Sequence, residues 1–222
     1  MKEIFKGTVY DMIRKPDGIV FSYLEETLSD GLFIKFKMID AHSGAVTDIA
    51  KNIYLIGKFG SNYRPAVKLC DNFITAKTIV LPSGKLFICK KNGECYLIDS
   101  DGAVLWNGII LYHDNPPSDI ALYNNSIWAS FYEDNALVRF NIENMREELR
   151  IGGEHSPFLG PRGIFIEGKT ATVSNMVSKT LAKINLDTYA VEQYYEFEQG
   201  VKNYIKEGIY EFVQLESGIY SI

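Results

Sequence analysis

Few of the residues from which enzyme active sites and secreted scaffolds are usually built occur in this chain. Its 222 residues include three cysteines and three histidines. Three thiols, Cys70, Cys89 and Cys95, are too few and too odd in number for a disulfide framework. Cys89 and Cys95 flank a turn at Lys91-Asn92-Gly93, so a cross-strand bridge is geometrically open, although a small buried thiol is the commoner state. No G-x-S-x-G, H-E-x-x-H or C-x-x-C pattern is present, and acyl transfer, zinc hydrolysis and thiol redox chemistry lose their usual signatures. An enzyme whose groups assemble from distant segments stays open. Basic charge is in deficit, with 23 Lys and Arg against 28 Asp and Glu and a net charge of −5. A general nucleic-acid binder carries the opposite excess, so no nucleic-acid partner is expected. No apolar run approaches the ~20 residues that span a bilayer. The opening MKEIFKGTVYDM lacks the basic-then-apolar build of a secretory leader. The expectation is a soluble chain without a membrane partner, in a reducing compartment and by default the cytoplasm.

Aromatics, by contrast, are plentiful, with 14 Tyr and 13 Phe, which favours strands over helices. The chain also repeats itself. Pro117–Phe131 aligns with Pro161–Asn175 at an offset of 44 residues, without a gap, and Asn135–Glu143 then aligns with Lys179–Asp187. Each unit has an apolar run, a polar turn, an alternating run, a second turn and another alternating run. A fourth β-prone run follows, at Glu147–Ile151 and again at Ala190–Phe197. Leu137, Arg139 and Asn141 alternate with Val138, Phe140 and Ile142, the period of a strand. Fainter copies run from Lys85 to Val104 and from Gly18 to Val46, and Gly208–Ile222 supplies the first two runs of another. The best local helix candidate, Glu143–Arg150, has a strand-like counterpart in the next repeat.

Four-stranded antiparallel units of this kind bury both faces by stacking on one another. The predicted fold is therefore all-β, a single β-propeller domain over residues 1–222. Five blades are favoured, with Met1–Phe5 as the outer strand of the blade begun at Gly208. The stretch Thr47–Phe73 is longer than its counterparts; it holds a long loop or extra strands that would raise the count to six.

Pro161–Tyr189, GPRGIFIEGKTATVSNMVSKTLAKINLDTY with its preceding glycine, resembles the β-propeller repeats of the YVTN and NHL families. Pro117–Asn144 resembles the same group and the blades of streptogramin-lyase-like propellers. Lys85–Trp106 is similar to the PQQ-type repeat. The resemblance implies architecture far more than activity.

Gly163–Thr170, GIFIEGKT, matches the phosphate-binding pattern G-x-x-x-x-G-K-[ST]. A P-loop joins a strand to a helix, whereas here an apolar run leads to a second β-prone run. Asp119–Ser126 holds the same place in the preceding repeat without the lysine. Gly168-Lys169 is therefore expected to be a hairpin turn, with no nucleotide bound through it. Arg162 and Asp119 lie near the starts of adjacent inner strands, where side chains converge on the channel. An arginine there suits a carboxylate or phosphate through a bidentate contact; the plainer readings are a mutual salt bridge or solvent exposure. Glu154 and His155 precede Pro161-Arg162 on the link between blades, and His42 and His113 read as loop histidines. Streptogramin lyases use a histidine and a metal in that region, often within glycine-proline-histidine-glycine. This chain has Gly160-Pro161-Arg162-Gly163, with arginine in the histidine's place.

Arg162, Asp119, His155 and Glu154 are thus the candidate ligand-binding residues, with no cofactor or metal assigned. The expected function is non-enzymatic binding of a protein or small-molecule ligand on one face. The alternative is a metal-dependent lyase or lactone hydrolase with its metal held by groups such as Glu154, His155 and Asp119.

Overall fold

The computed structural model of the protein describes residues 1–27, 31–56, 76–81, 83–90 and 92–222. Every regular element among them is a strand. In chain order, β1 is Lys2–Lys6. The next four are β2 (Val9–Lys15), β3 (Gly18–Thr27), β4 (Gly31–Ile39) and β5 (Val46–Ile56). They are followed by β6 (Ala76–Val80), β7 (Leu86–Lys90), β8 (Glu94–Ile98) and β9 (Val104–Ile109). Then come β10 (Asp119–Tyr123), β11 (Ser126–Phe131), β12 (Ala136–Asn141) and β13 (Glu147–Gly152). The fourth set is β14 (Pro161–Glu167), β15 (Thr170–Asn175), β16 (Thr180–Asn185) and β17 (Val191–Glu196). Last are β18 (Val201–Glu207), β19 (Tyr210–Leu215) and β20 (Gly218–Ser221). They form five four-stranded antiparallel sheets, the blades predicted from the repeat.

The repeat is metrically regular. β11, β12 and β13 recur as β15, β16 and β17, each starting 44 residues later and with the same length. Of the best local helix candidate, Glu143–Arg150, the residues from Glu147 onward lie in the outer strand β13 (Glu147–Gly152). The fifth sheet has the order β1-β20-β19-β18, so N- and C-terminal strands share one blade. It begins at Val201 and not at Gly208, with three strands from the C-terminal segment and one from the N-terminal segment. The sequence VKNYIKE of β18 has no clean alternation that would have revealed it. The long stretch Thr47–Phe73 supplies most of β5; its continuation from residue 57 lies outside the described residues.

Packing divides the chain into two compact units, Met1–Ile74 with Asn203–Ile222, and Thr75–Lys202. In the second unit the period of two sorts β11 and β12 between two cores. Ile127, Ala129, Phe131, Ala136, Val138 and Phe140 face the blade β6–β9, where they meet Phe87, Cys89, Cys95 and Ile110. Trp128 and Leu137 point the other way, into a core with Ile164, Ala171, Val173 and Ile184. Middle strands are thus buried on both faces. The outer strands β9, β13 and β17 are mostly solvent-facing. Arg139 binds the third and fourth blades together: its guanidinium lies 5.9 Å from the centroids of the Trp128 and Tyr189 rings and donates to the Tyr189 hydroxyl at 2.8 Å. In the first unit Phe5 of β1 packs on Phe21 and Tyr23 of β3, with ring centroids 4.8 and 4.9 Å away.

Candidate functional site

Asp119 opens β10, which lies beside β6 and β14. Its Oδ2 accepts a hydrogen bond from the Ile164 amide of β14 at 2.9 Å. Its Oδ1 accepts from the Ile120 amide at 2.9 Å and forms an ion pair with Lys77 of β6. One largely buried carboxylate therefore ties three consecutive first strands together. The buried Ser130 hydroxyl adds a second tie: it lies 3.0 Å from the Arg162 carbonyl and 3.4 Å from that of Asp119. The same tie appears in the other unit, where the Gln214 amide donates to the Val9 carbonyl at 2.8 Å. The position equivalent to Ser130 in the next blade is Ser174, also fully buried. Among the described residues its Oγ has no hydrogen-bond partner, and neither does Oδ1 of the adjacent Asn175.

Arg162 occupies a β-bulge. Pro161 pairs with Asn175 and Gly163 with Ser174, leaving Arg162 unmatched between them. A bulge frees one residue from the ladder and re-aims its side chain. Tyr10 holds the same kind of bulge in β2, between Val9 and Asp11, and is likewise exposed. The Arg162 side chain is exposed, and its Nη1 lies 3.6 Å from the Met176 thioether, a weak acceptor. No carboxylate among the described residues is within ion-pair distance of it. Asp119 and Arg162 are therefore brought close through Ser130 and the main chain, while the carboxylate itself is taken by Lys77.

The rim beside Arg162 is apolar. Leu159 and Val177 are 48% and 57% exposed and are joined by a Val177 N–H to Leu159 carbonyl bond of 3.1 Å. Met176 donates to the Gly160 carbonyl at 2.8 Å. Gly160 has φ +64°, and a Cβ there would lie 2.7 Å from Val177 and 2.8 Å from Tyr132, so only glycine fits this turn.

Glu154 and His155 sit on the link from β13 to β14, both exposed. Asn135 pins the link at two points. Its side-chain carbonyl accepts from the Gly160 amide at 2.7 Å, and its main-chain carbonyl accepts from the Ser156 hydroxyl. Glu154 and His155 immediately precede the first anchor, Ser156, and neither has a hydrogen bond or ion pair with another described residue. The other histidines are engaged. His113 Nδ1 lies 2.9 Å from Asp134, whose second oxygen accepts from the Asn115 amide at 3.0 Å. That cluster was invisible in the sequence, since 21 residues and no motif connect His113 to Asp134. His42 meets Tyr210 edge-on, at 5.8 Å between ring centroids. Among the described residues no group of three or more His, Cys, Asp or Glu is placed to share a metal ion.

GIFIEGKT is a strand, a two-residue turn and a second strand. Glu167 pairs with Thr170 across Gly168-Lys169, and the Lys169 ammonium lies 2.6 Å from Asp187 in an exposed ion pair. No helix follows to present its amides to a phosphate.

No protein-family model and no curated protein sequence matches the chain. Solved structures do match it. Virginiamycin B lyase from Staphylococcus aureus superposes with a TM-score of 0.55 at 13% identity, covering 100% of this chain and 86% of that one. Saccharomyces cerevisiae Sqt1 gives a TM-score of 0.54 at 10% identity, covering 96% and 72%. The WD40 β-propeller domain of Doa1 gives 0.54 at 8% identity, covering 95% and 61%. At these identities the likeness shows the fold alone, a β-propeller, whose five blades are given by the sheet topology, and it leaves activity undetermined.

Proposed function

We propose that the chain is a single, non-enzymatic propeller domain that binds an acidic protein segment on the face where β14 begins, with Arg162 as the anchoring contact. The observation that carries this reading is the bulge. It presents a guanidinium to solvent beside Leu159 and Val177, with the Met176 thioether as its one side-chain acceptor among the described residues. A planar fork of donors left without an acceptor matches a carboxylate in a bidentate pair, and the apolar rim shields such a pair from water. His155 and Glu154, projecting from the preceding link, border the same approach. Asp119 acts as a positioning residue, because its oxygens already hold Ile120, Ile164 and Lys77. That engagement also weighs against a metal-dependent lyase or lactone hydrolase, which would need Asp119 as a ligand.

The test uses a fluorescent Glu-rich hexapeptide and polarisation at low salt. Arg162→Gln is expected to weaken binding about tenfold or more, and Arg162→Lys to recover little of it, as for a lost charge-assisted bidentate pair. Equal affinity in all three proteins would refute the reading. Tightly held metal in the purified protein, with a melting temperature lowered by chelator, would favour the enzyme instead.

A further inference from the structure

Cys89 and Cys95 lie directly opposite each other in the β7–β8 hairpin, as a register pair. Both are free and buried, 5% and 0% exposed. Opposed residues of an antiparallel pair have Cα atoms about 4.5–5.5 Å apart, inside the roughly 4.4–6.8 Å range of disulfides. The two side chains also share one buried cluster, with Phe87 and Ile110. Each also lies near a carbonyl of the connecting turn, Cys89 Sγ 3.6 Å from Lys90 O and Cys95 Sγ 3.4 Å from Gly93 O. The turn is in turn tied to the strand beyond, because the Ile110 amide donates to the Gly93 carbonyl at 2.9 Å.

We propose that Cys89 and Cys95 are a redox-modification site, a dithiol that closes to an intrachain disulfide when a low-molecular-weight disulfide such as oxidised glutathione is the oxidant. The reaction proceeds in two exchanges. The Cys89 thiolate attacks the glutathione disulfide, forming a mixed disulfide and releasing one glutathione thiolate. The Cys95 thiolate then displaces the second glutathione and forms the Cys89–Cys95 bond. Two protein thiols lose two protons and two electrons, and one glutathione disulfide becomes two glutathione thiols. The order follows from the environment. The hydrogen bond with Cys89, together with burial, holds the Cys95 thiol well above its ordinary range, so Cys95 is the poorer first nucleophile. Losing that partner to the mixed disulfide frees Cys95 to attack. Both sulfurs lie beside main-chain carbonyls at the end of the hairpin, Lys90 and Gly93, so local opening at Lys90 and Asn92–Glu94 admits the oxidant.

The full chain is equilibrated in glutathione buffers of increasing oxidised fraction, denatured, and its thiols counted; the linkage is then mapped by tryptic digestion. Cleavage after Lys90 and Lys91 separates the cysteines, so a linked pair of peptides containing Cys89 and Cys95 is diagnostic. Free thiols are expected to fall from three to one with that pair linked and the chain monomeric. Three thiols remaining, or linkage through Cys70, overturns the proposal. Two variants test the order without relying on bond formation. Cys95→Ser is expected to collect one glutathione on Cys89, and Cys89→Ser, whose hydroxyl still offers Cys95 an acceptor, to leave Cys95 unmodified in the folded protein. Equal modification of both would contradict the assigned roles.

Discussion

Replacing Asp119 by alanine removes one acceptor from three partners at once. Ile164 keeps its amide but loses its acceptor, and Lys77 loses its counter-ion. An orphaned buried donor costs about 1–3 kcal/mol, and the half-exposed lysine adds less because water screens it. Asp119→Ala is therefore expected to lower stability by about 2–4 kcal/mol in urea titration. Asp119→Asn, which keeps one acceptor oxygen, should lose about half of that. The serines make a sharper contrast. Ser130 spends its hydroxyl on the Arg162 carbonyl, while the hydroxyl of Ser174, its equivalent 44 residues later, has no partner among the described residues. Ser130→Ala should cost about 1–2 kcal/mol, and Ser174→Ala should be neutral within about 0.5 kcal/mol or slightly stabilising. A larger loss at Ser174 than at Ser130 would invert this assignment. The repeat alone put Arg162 and Asp119 at the starts of adjacent strands. It gave no sign of the partner of Asp119, because Lys77 is 42 residues away and carries no motif. Nor did it reveal the bulge, which depends on a register that only strand pairing defines.

Several hairpins are held by carboxylates whose protonation weakens them. Asp48 is kept below the usual carboxylate range by the hydrogen-bonded Lys37 ammonium across β4–β5, and Glu94 by Lys90 across β7–β8. The Asn141 amide does the same for Glu148 across β12–β13, and in the turn after β4 the Ser43 amide and hydroxyl do so for Asp40. Each group binds its proton more readily when unfolded. Its contribution is complete above the unfolded value, about pH 4, and disappears as pH falls through the lower folded value. Thermal melts should be flat with respect to these groups between pH 7 and 5 and decline below about pH 4. A decline beginning above pH 5 would point to other groups. At this scale the sequence was highly legible. Strict alternation and recurrent turns located the strands of the third and fourth blades nearly to the residue. The strand β18 escaped because Lys202, Asn203 and Lys206 interrupt its apolar residues, and its place is set by pairing with β19.

Over the whole molecule, the shared fifth blade makes the N-terminal strand structural. Gly218 lets β1 approach β20 so closely that a Cβ there would lie 2.0 Å from the Phe5 carbonyl. Deleting residues 1–6 removes the Phe5 ring from Phe21 and Tyr23 and turns β20 into an open edge. Such an edge is a template for pairing with another chain. The truncated protein is expected to melt lower and to associate with rising concentration in gel filtration, whereas the full chain keeps one elution volume. Unchanged melting and elution would show that the strand is dispensable. The fold was legible because its repeat is periodic over most of the chain. The ligand was not, since binding groups on a propeller come from loops that the repeat does not constrain. The central claim is that Arg162 anchors an acidic ligand on one face. Its most direct test is an NMR titration of the ¹⁵N-labelled chain with the Glu-rich hexapeptide. Saturable shifts are predicted at the Arg162 side chain and at the amides of His155, Leu159, Met176 and Val177, and they should vanish in Arg162→Gln. Shifts confined to other surfaces, or unchanged by that substitution, would contradict it.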